Sequence, residues 1–270
     1  MKNLFLMIGI CALAGCGGGG TGGGGPVVGD PSSFLDPVAS GTFALTSFSS
    51  AGGSAAVQSE TAQGDTITLA GLTGTFSPAR DRVFFNGDGG TADILSISTT
   101  QVALFNAMPR DADPFLGVIG NSTPVSDLPS GSEVIYTGAS SARFAIIDGN
   151  TGTTFDVTGN VLARVNFDSS LVGLTFDAFS GTSVIGANPP VAVSGIGTLE
   201  IEDVEIVGNQ FSGGTADLTR GGSFSTDLSL GATVTTAGGV FGENGDELAG
   251  IVIIEDGVAD LRFIGGFVAD

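Results

Sequence analysis

The stretch Gly238–Asp270, GGVFGENGDELAGIVIIEDGVADLRFIGGFVAD, decides the fold. Apolar and small residues alternate along Ala259, Leu261, Phe263, Gly265 and Phe267, with Asp260 and Arg262 on the other parity. That is the period of a strand buried on one face, and it reads as the closing strand of a barrel. The preceding run, Glu247 to Ile254, is apolar on both parities: Leu248, Val252 and Ile254 against Ala249, Ile251 and Ile253. Such a strand is covered on both sides, so something packs on its outer face. Between Phe241 and this strand lies GENGDE, where Gly242, Asn244 and Gly245 suit the positive-φ positions of a tight reversal. A hairpin is expected.

The string Gly239-Val240-Phe241-Gly242-Glu243-Asn244-Gly245-Asp246-Glu247-Leu248-Ala249-Gly250 resembles the signature near the end of the barrel domain in the transferrin-binding protein B family of bacterial surface lipoproteins. Val207-Gly208-Asn209-Gln210-Phe211-Ser212-Gly213 is similar to a glycine–asparagine turn of that family. Tyr136-Thr137-Gly138 resembles its barrel-opening Y-x-G, and Phe155 to Val165 its following strand. The resemblance covers about the last half of the chain and extends to the barrel of factor H binding protein. It departs where Phe241 lacks a following Tyr and where Gly245 replaces an Ala. It implies an all-β chain with an N-terminal strand-rich, handle-like domain packed on a C-terminal eight-stranded antiparallel β-barrel. It also implies a partner, a protein or a small solute, bound through loops, and delivery by an outer-membrane translocon.

The N-terminus carries a second signal. Lys2 precedes an apolar stretch from Leu4 to Leu13 and then Leu13-Ala14-Gly15-Cys16. The stretch is shorter than the ~20 residues needed to span a bilayer, so it reads as a signal peptide. Small residues before Cys16 resemble the bacterial lipobox, in which the cysteine is acylated and becomes the mature N-terminus. An ordinary secretory signal with an incidental Cys16 is the alternative. Cys11 leaves with the signal, so no internal disulfide is available and stability has to come from packing. Residues 17 to 25 are glycine broken by Thr21, and 26 to 37 continue without periodicity. A phosphate-cradling loop would need a lysine, and none follows position 2. The segment is a tether; as a flexible coil of about 20 residues it spans on the order of 25 Å. Gly17 in place of Asp after the lipidated cysteine favours the outer membrane, and display at the cell surface is what the resemblance implies.

The expected organisation is therefore a signal peptide at 1–15, lipidated Cys16 with a tether to 40, a handle-like β domain at 41–130 and the barrel at 131–270. Strands are expected at Thr42–Phe48, Thr66–Leu72, Arg82–Phe85, Ala92–Thr99, Gln101–Phe105 and Phe115–Ile119, with too little apolar density for a large core of their own. Prolines 109, 114, 124 and 129 make the segment up to Ser130 mostly loop. In the barrel, Val161, Ala163, Val165 and Phe167 share an inward face, answered by Val172, Leu174, Phe176 and Ala178. Leu199 and Ile201 point in, but Val204 and Ile206 have the opposite parity, so a bulge near Asp203 has to restore register. Phe224, Leu228 and Leu230 supply a further inward row.

Composition narrows the chemistry. The mature chain has 28 acidic residues against seven arginines, a formal charge of −21, and no lysine. Such a surface repels nucleic acid and anionic headgroups, so the membrane contact expected is the lipid anchor alone. Without histidine, lysine or a free thiol, catalysis by those groups and Cys/His metal centres are excluded. Glu200, Glu202, Asp203 and Glu205 form the densest carboxylate cluster but belong to a water-facing strand side. Asn86 to Gly90 with Asp93, Asp111 with Asp113, and Asp148 to Asn150 carry calcium-type oxygens, yet none has the spacing of a twelve-residue calcium loop. Asn-Gly and Asp-Gly there read first as hairpin turns. No cofactor or metal is expected and no enzyme. A filled barrel leaves binding to its connections, with Asp111, Phe115 and Leu116 in one candidate loop and Asn188 and Pro189 in another. A structural envelope lipoprotein without a specific ligand is the competing reading.

Overall fold

The computed structural model describes residues 42–49, 55–63, 66–69, 72–77, 82–87, 89–95, 102–110, 115–120, 122–131, 133–148, 151–185, 189–220, 232–242, 244–257 and 261–270. Its strands are β1 (Thr42–Ser49), β2 (Ala55–Gln63), β3 (Thr66–Leu69), β4 (Leu72–Ser77), β5 (Arg82–Phe85), β6 (Gly90–Leu95), β7 (Val102–Pro109) and β8 (Phe115–Gly120) in the first unit. After a single 3-10 turn at Val125–Asp127 come β9 (Val134–Asp148), β10 (Thr151–Asn166), β11 (Leu171–Ile185), β12 (Ala192–Ser194), β13 (Gly197–Val207), β14 (Gln210–Arg220), β15 (Thr233–Phe241), β16 (Glu247–Asp256) and β17 (Leu261–Ala269).

The second unit is the expected eight-stranded antiparallel barrel. Its ring runs β10-β9-β17-β16-β15-β14-β13-β11 and closes by pairing β10 with β11; β12 adds a short pairing to β11. Register follows apolar parity: Val161, Ala163 and Val165 face Phe176, Leu174 and Val172 across the β10–β11 ladder, and all six are buried. The interior is closed by rings. Phe144 meets Phe263 at 4.7 Å and Phe179 at 5.4 Å, and Phe176 meets Phe267 at 5.5 Å, in the edge-to-face arrangements that aromatic quadrupoles favour.

Two irregularities shape the ring. Asp203 adopts φ 57, and the β11–β13 register shifts beside it, with Val172 opposite Val204 but Leu174 opposite Ile201. Leu199, Ile201, Val204 and Ile206 are consequently all buried while Glu200, Glu202, Asp203 and Glu205 are exposed, as the parity break demanded. The second bulge corrects the inward row assigned to β11. Ala178 takes φ 52 and is exposed, and Phe179 is the residue that turns into the core. The extra residue sits opposite Gly159, where an added Cβ would lie 2.8 Å from the Phe179 ring. The row expected at Phe224, Leu228 and Leu230 lies outside the described residues.

The first unit is also a closed antiparallel ring, β1 to β8 in chain order, sealed by β1–β8 pairing such as Leu45↔Ile119. β2 was not expected, and Thr66–Leu72 is two strands, not one: Leu69 pairs with Leu72, leaving Ala70 and Gly71 between them. β7 runs on to Pro109, beyond the Phe105 where its strand was expected to end, and β8 realises the strand expected at Phe115–Ile119.

The two units pack through the outer face of β15, β16 and β17. Val102, Leu104 and Val118 meet Phe241, Ala249 and Val268, while half-buried Leu116 reaches both that cluster and the neighbouring Ala237, Ile251 and Ile253. This covers the second apolar face of β16, at about 2 kcal/mol for each fully buried branched side chain. Gly266 permits the closest approach: a Cβ there would stand 2.3 Å from Leu104 Cδ1.

Candidate functional site

The two ends of the barrel differ. At one end the chain turns between β10 and β11 and between β13 and β14, and the β15–β16 connection, the linker from β8 and the C-terminus gather beside them. At the other lie the β9–β10, β11–β12, β14–β15 and β16–β17 connections.

Three of the four stretches that carried the family resemblance, around Tyr136, Asn209 and Val240, meet at the first end, beside the linker that enters the barrel. Thr123, fully buried, donates its amide to the Val240 carbonyl at 3.1 Å and its hydroxyl to the Gly242 carbonyl at 2.8 Å. Asn209 donates Nδ2 to Ser122 Oγ and to the Thr123 carbonyl, both at 2.6 Å, and its own carbonyl accepts from Val240 at 2.9 Å. Asn209 can do this because Gly208, at φ 63, makes the reversal that presents it. Tyr136 donates its hydroxyl to the Gly245 carbonyl at 2.7 Å across 109 residues of sequence. Phe211 fills the slot left by two facing glycines, Gly238 and Gly250. In the expected tight reversal, Gly242 and Gly245 do adopt positive φ, 89 and 71.

Burial pushes the Tyr136 phenol up to about 12, and the charge of Asp246 adds to the shift. The folded value lies above the unfolded value of about 10, so this contribution to stability is complete below about pH 10 and is lost as pH rises toward 12. Tyr136 is the one tyrosine and the chain has no tryptophan, so tyrosinate absorbance reports this site alone. We expect the native chain to titrate near pH 12 or to unfold on the way; titration at the free value while folded would contradict the buried bond to Gly245.

Elsewhere, polar groups serve structure. Arg143 on β9 and Asp156, its partner on β10, form a mostly buried two-pronged pair at 2.5 and 2.7 Å. Glu200 lies opposite Asp217 on the outer face, both exposed. Among the described residues no three metal-ligating side chains converge. Asn86 and Gly87 form a turn closed by the Gly89 amide on the Asn86 carbonyl at 3.2 Å, and Asp148 pairs with Thr151, leaving two residues to reverse the chain.

Of the binding residues expected from sequence, Asp111 and Asn188 lie outside the described residues. Phe115 begins β8, paired opposite Ser49 and Ala107, and Leu116 is packed between the two units; neither is in an exposed loop. Pro189 is exposed, with Pro190 and Val191 beside it. The connection that holds Asn188 and Pro189 is short, because β11 runs to Ile185 and β12 pairs back onto it. Its far side is fixed by Val191 donating to Ser183 Oγ at 2.7 Å and accepting from the Ser183 amide at 2.9 Å. Sequence reasoning missed the exposed Val125, Leu171 and Val207 at the first end, since lone apolar residues at strand ends carry no periodic signal.

No family model matches the chain and no curated protein does. Solved structures do. The chain is similar to a transferrin binding protein B from Haemophilus parasuis Hp5, with TM-score 0.56 and 14% identity over 84% of this chain and 44% of that one. It is similar to the isotype 1 transferrin binding protein B of serogroup B Neisseria meningitidis, with TM-score 0.54 and 16% identity over 85% of this chain and 43% of that one. An intact transferrin binding protein B solved with its N and C lobes gives TM-score 0.51 and 12% identity over 84% of this chain and 45% of that one. The chain thus spans less than half the length of these proteins, and what it shares with them is a fold.

Proposed function

We propose, on the premise of that shared fold, that the chain is a non-catalytic binding protein, anchored to the outer membrane by lipid on Cys16 and displayed at the cell surface. The observation that carries the reading is the filled barrel. Phe105 aside, the largest fully buried side chains, Phe144, Phe176, Phe179, Phe211, Phe241, Phe263 and Phe267, occupy the barrel interior or its contact with the first unit, so a partner is met from outside. Connections on a rigid scaffold are the natural place for such contact. The β11–β12 connection is our choice, with exposed Pro189, Pro190 and Val191 beside Asn188. The transferrin in the names of the similar structures makes a protein ligand the class to test first.

Two variants test this together. Cys16→Ser is expected to remove acyl mass and detergent partitioning, because it deletes the acyl acceptor. Replacing residues 186–191 by a Gly/Ser connection of equal length is expected to abolish capture of a protein partner from native surroundings while leaving the fold intact. Equal capture by wild type and replacement would overturn the choice of connection. Capture of nothing by either would favour an envelope lipoprotein without a ligand.

A further inference from the structure

We propose that the barrel has a second docking face, at the end where the linker crosses the β13–β14 turn, and that it takes a cationic protein segment with apolar side chains at its centre. This face is distinct from the β11–β12 connection and lies at the opposite end of the barrel. Three apolar residues stand in water there: Val207 at 71% exposure, Val125 at 64% and Leu171 at 41%. They are neighbours. A Cβ on Gly208 would lie 3.4 Å from Val125 Cγ2, which sets Val125 against the turn that begins at Val207. Leu171 pairs with Glu205, so Val207, two residues further on the same face, is its diagonal neighbour across the ladder.

The fold places these side chains outward by construction. Without the bulge at Asp203, Val207 would share the parity of Leu199 and Ile201 and point into the core; the bulge turns Val204 and Ile206 inward and Val207 out. Val125 sits on the 3-10 turn just after Ser122 and Thr123, which Asn209 clamps, so it is held on a short, bonded segment. Single exposed apolar residues are ordinary, but a contiguous group on rigid elements with a polar rim marks an interaction surface.

The rim identifies the occupant. Asp127, Asp168 and Glu205 surround the group, all exposed, and the nearby Arg164 is engaged with Glu133 at 3.4 Å. A second copy of the chain would set these carboxylates against their own images in a two-fold contact, and an anionic lipid surface would be repelled in the same way. A partner with basic groups around apolar ones matches both features.

The test uses the full chain carrying Cys16→Ser and, as probe, a fluorescent synthetic peptide of alternating leucine and lysine, followed by anisotropy. A serine/lysine peptide of equal charge and a leucine/serine peptide are the comparisons. The leucine/lysine peptide is expected to bind about tenfold more tightly than either, and the double variant Leu171→Ser/Val207→Ser to lose about that factor. Glu205→Gln with Asp168→Asn should flatten the salt dependence, and Thr158→Ser, at an exposed position on β10 away from this face, should change nothing. The proposal is overturned if the double variant, its fold verified by tyrosinate titration, binds as wild type does. It is overturned equally if charge alone accounts for binding, or if sedimentation shows self-association that Val207→Ser abolishes.

Discussion

Val165→Asp is expected to abolish cooperative folding of the C-terminal barrel. Val165 is fully buried, paired with Val134 on one side and Val172 on the other, and belongs to the apolar cluster that fills the ring. A carboxylate there faces neither water nor a cation, and burying it unpaired costs several kcal/mol, against a total stability of about 5–15 kcal/mol for a typical domain. The adjacent Arg164→Ser is the control. Its side chain is 56% exposed and its ion pair with Glu133 is a surface pair worth about 0–1 kcal/mol. Denaturant unfolding followed by circular dichroism should show no transition for the first variant and a near-normal one for the second. A normal transition for Val165→Asp would mean the inward face has been assigned wrongly.

The second large effect is expected at Phe211. Its ring occupies the space that a Cβ on Gly238 or Gly250 would take, 2.2 and 2.7 Å from Cζ, and stacks on Phe267 at 6.2 Å. It also lies at the thinnest seam of the ring, where β14 and β15 share three ladder pairs, Gln210↔Gly239, Phe211↔Gly238 and Ser212↔Ala237. Phe211→Ala leaves the glycine slot empty, which typically costs roughly 3–5 kcal/mol for a buried phenylalanine. Gly238→Val should be harmful for the converse reason, since its Cβ would also meet the Ala249 carbonyl at 2.3 Å, which cannot move aside cheaply. A fall in the denaturation midpoint for both, with hydrogen exchange rising first along β14 and β15, would fit this account. A change within about 0.5 kcal/mol for Phe211→Ala, the range of ordinary surface substitutions, would not.

What the sequence made legible follows from where signal is strong. The two-sided run of β16 and the parity break at Asp203 are written in large apolar side chains, and both are realised. The bulge at Ala178 is not, because alanine fits either face and a non-glycine residue at positive φ leaves no pattern. β2, AAVQSETAQ, offers alternation between alanine and polar residues and too little contrast to read as a strand. Leu116 looked exposed because its cover comes from a different unit, on β15 and β16. The joinery around Thr123 and Asn209 was visible only as a resemblance: hydrogen bonds spanning 86 to 119 residues have no local period. The same resemblance thus located structural bonds.

The central claim, that a filled barrel meets its partner from outside through its end connections, is tested most directly by hydrogen–deuterium exchange on the chain with and without a partner captured from native surroundings. The account predicts new protection in peptides covering 182–194, with β10 over 151–166 unchanged. Protection confined to β10 and its ladder partners, with 182–194 exchanging as in the free chain, would contradict it.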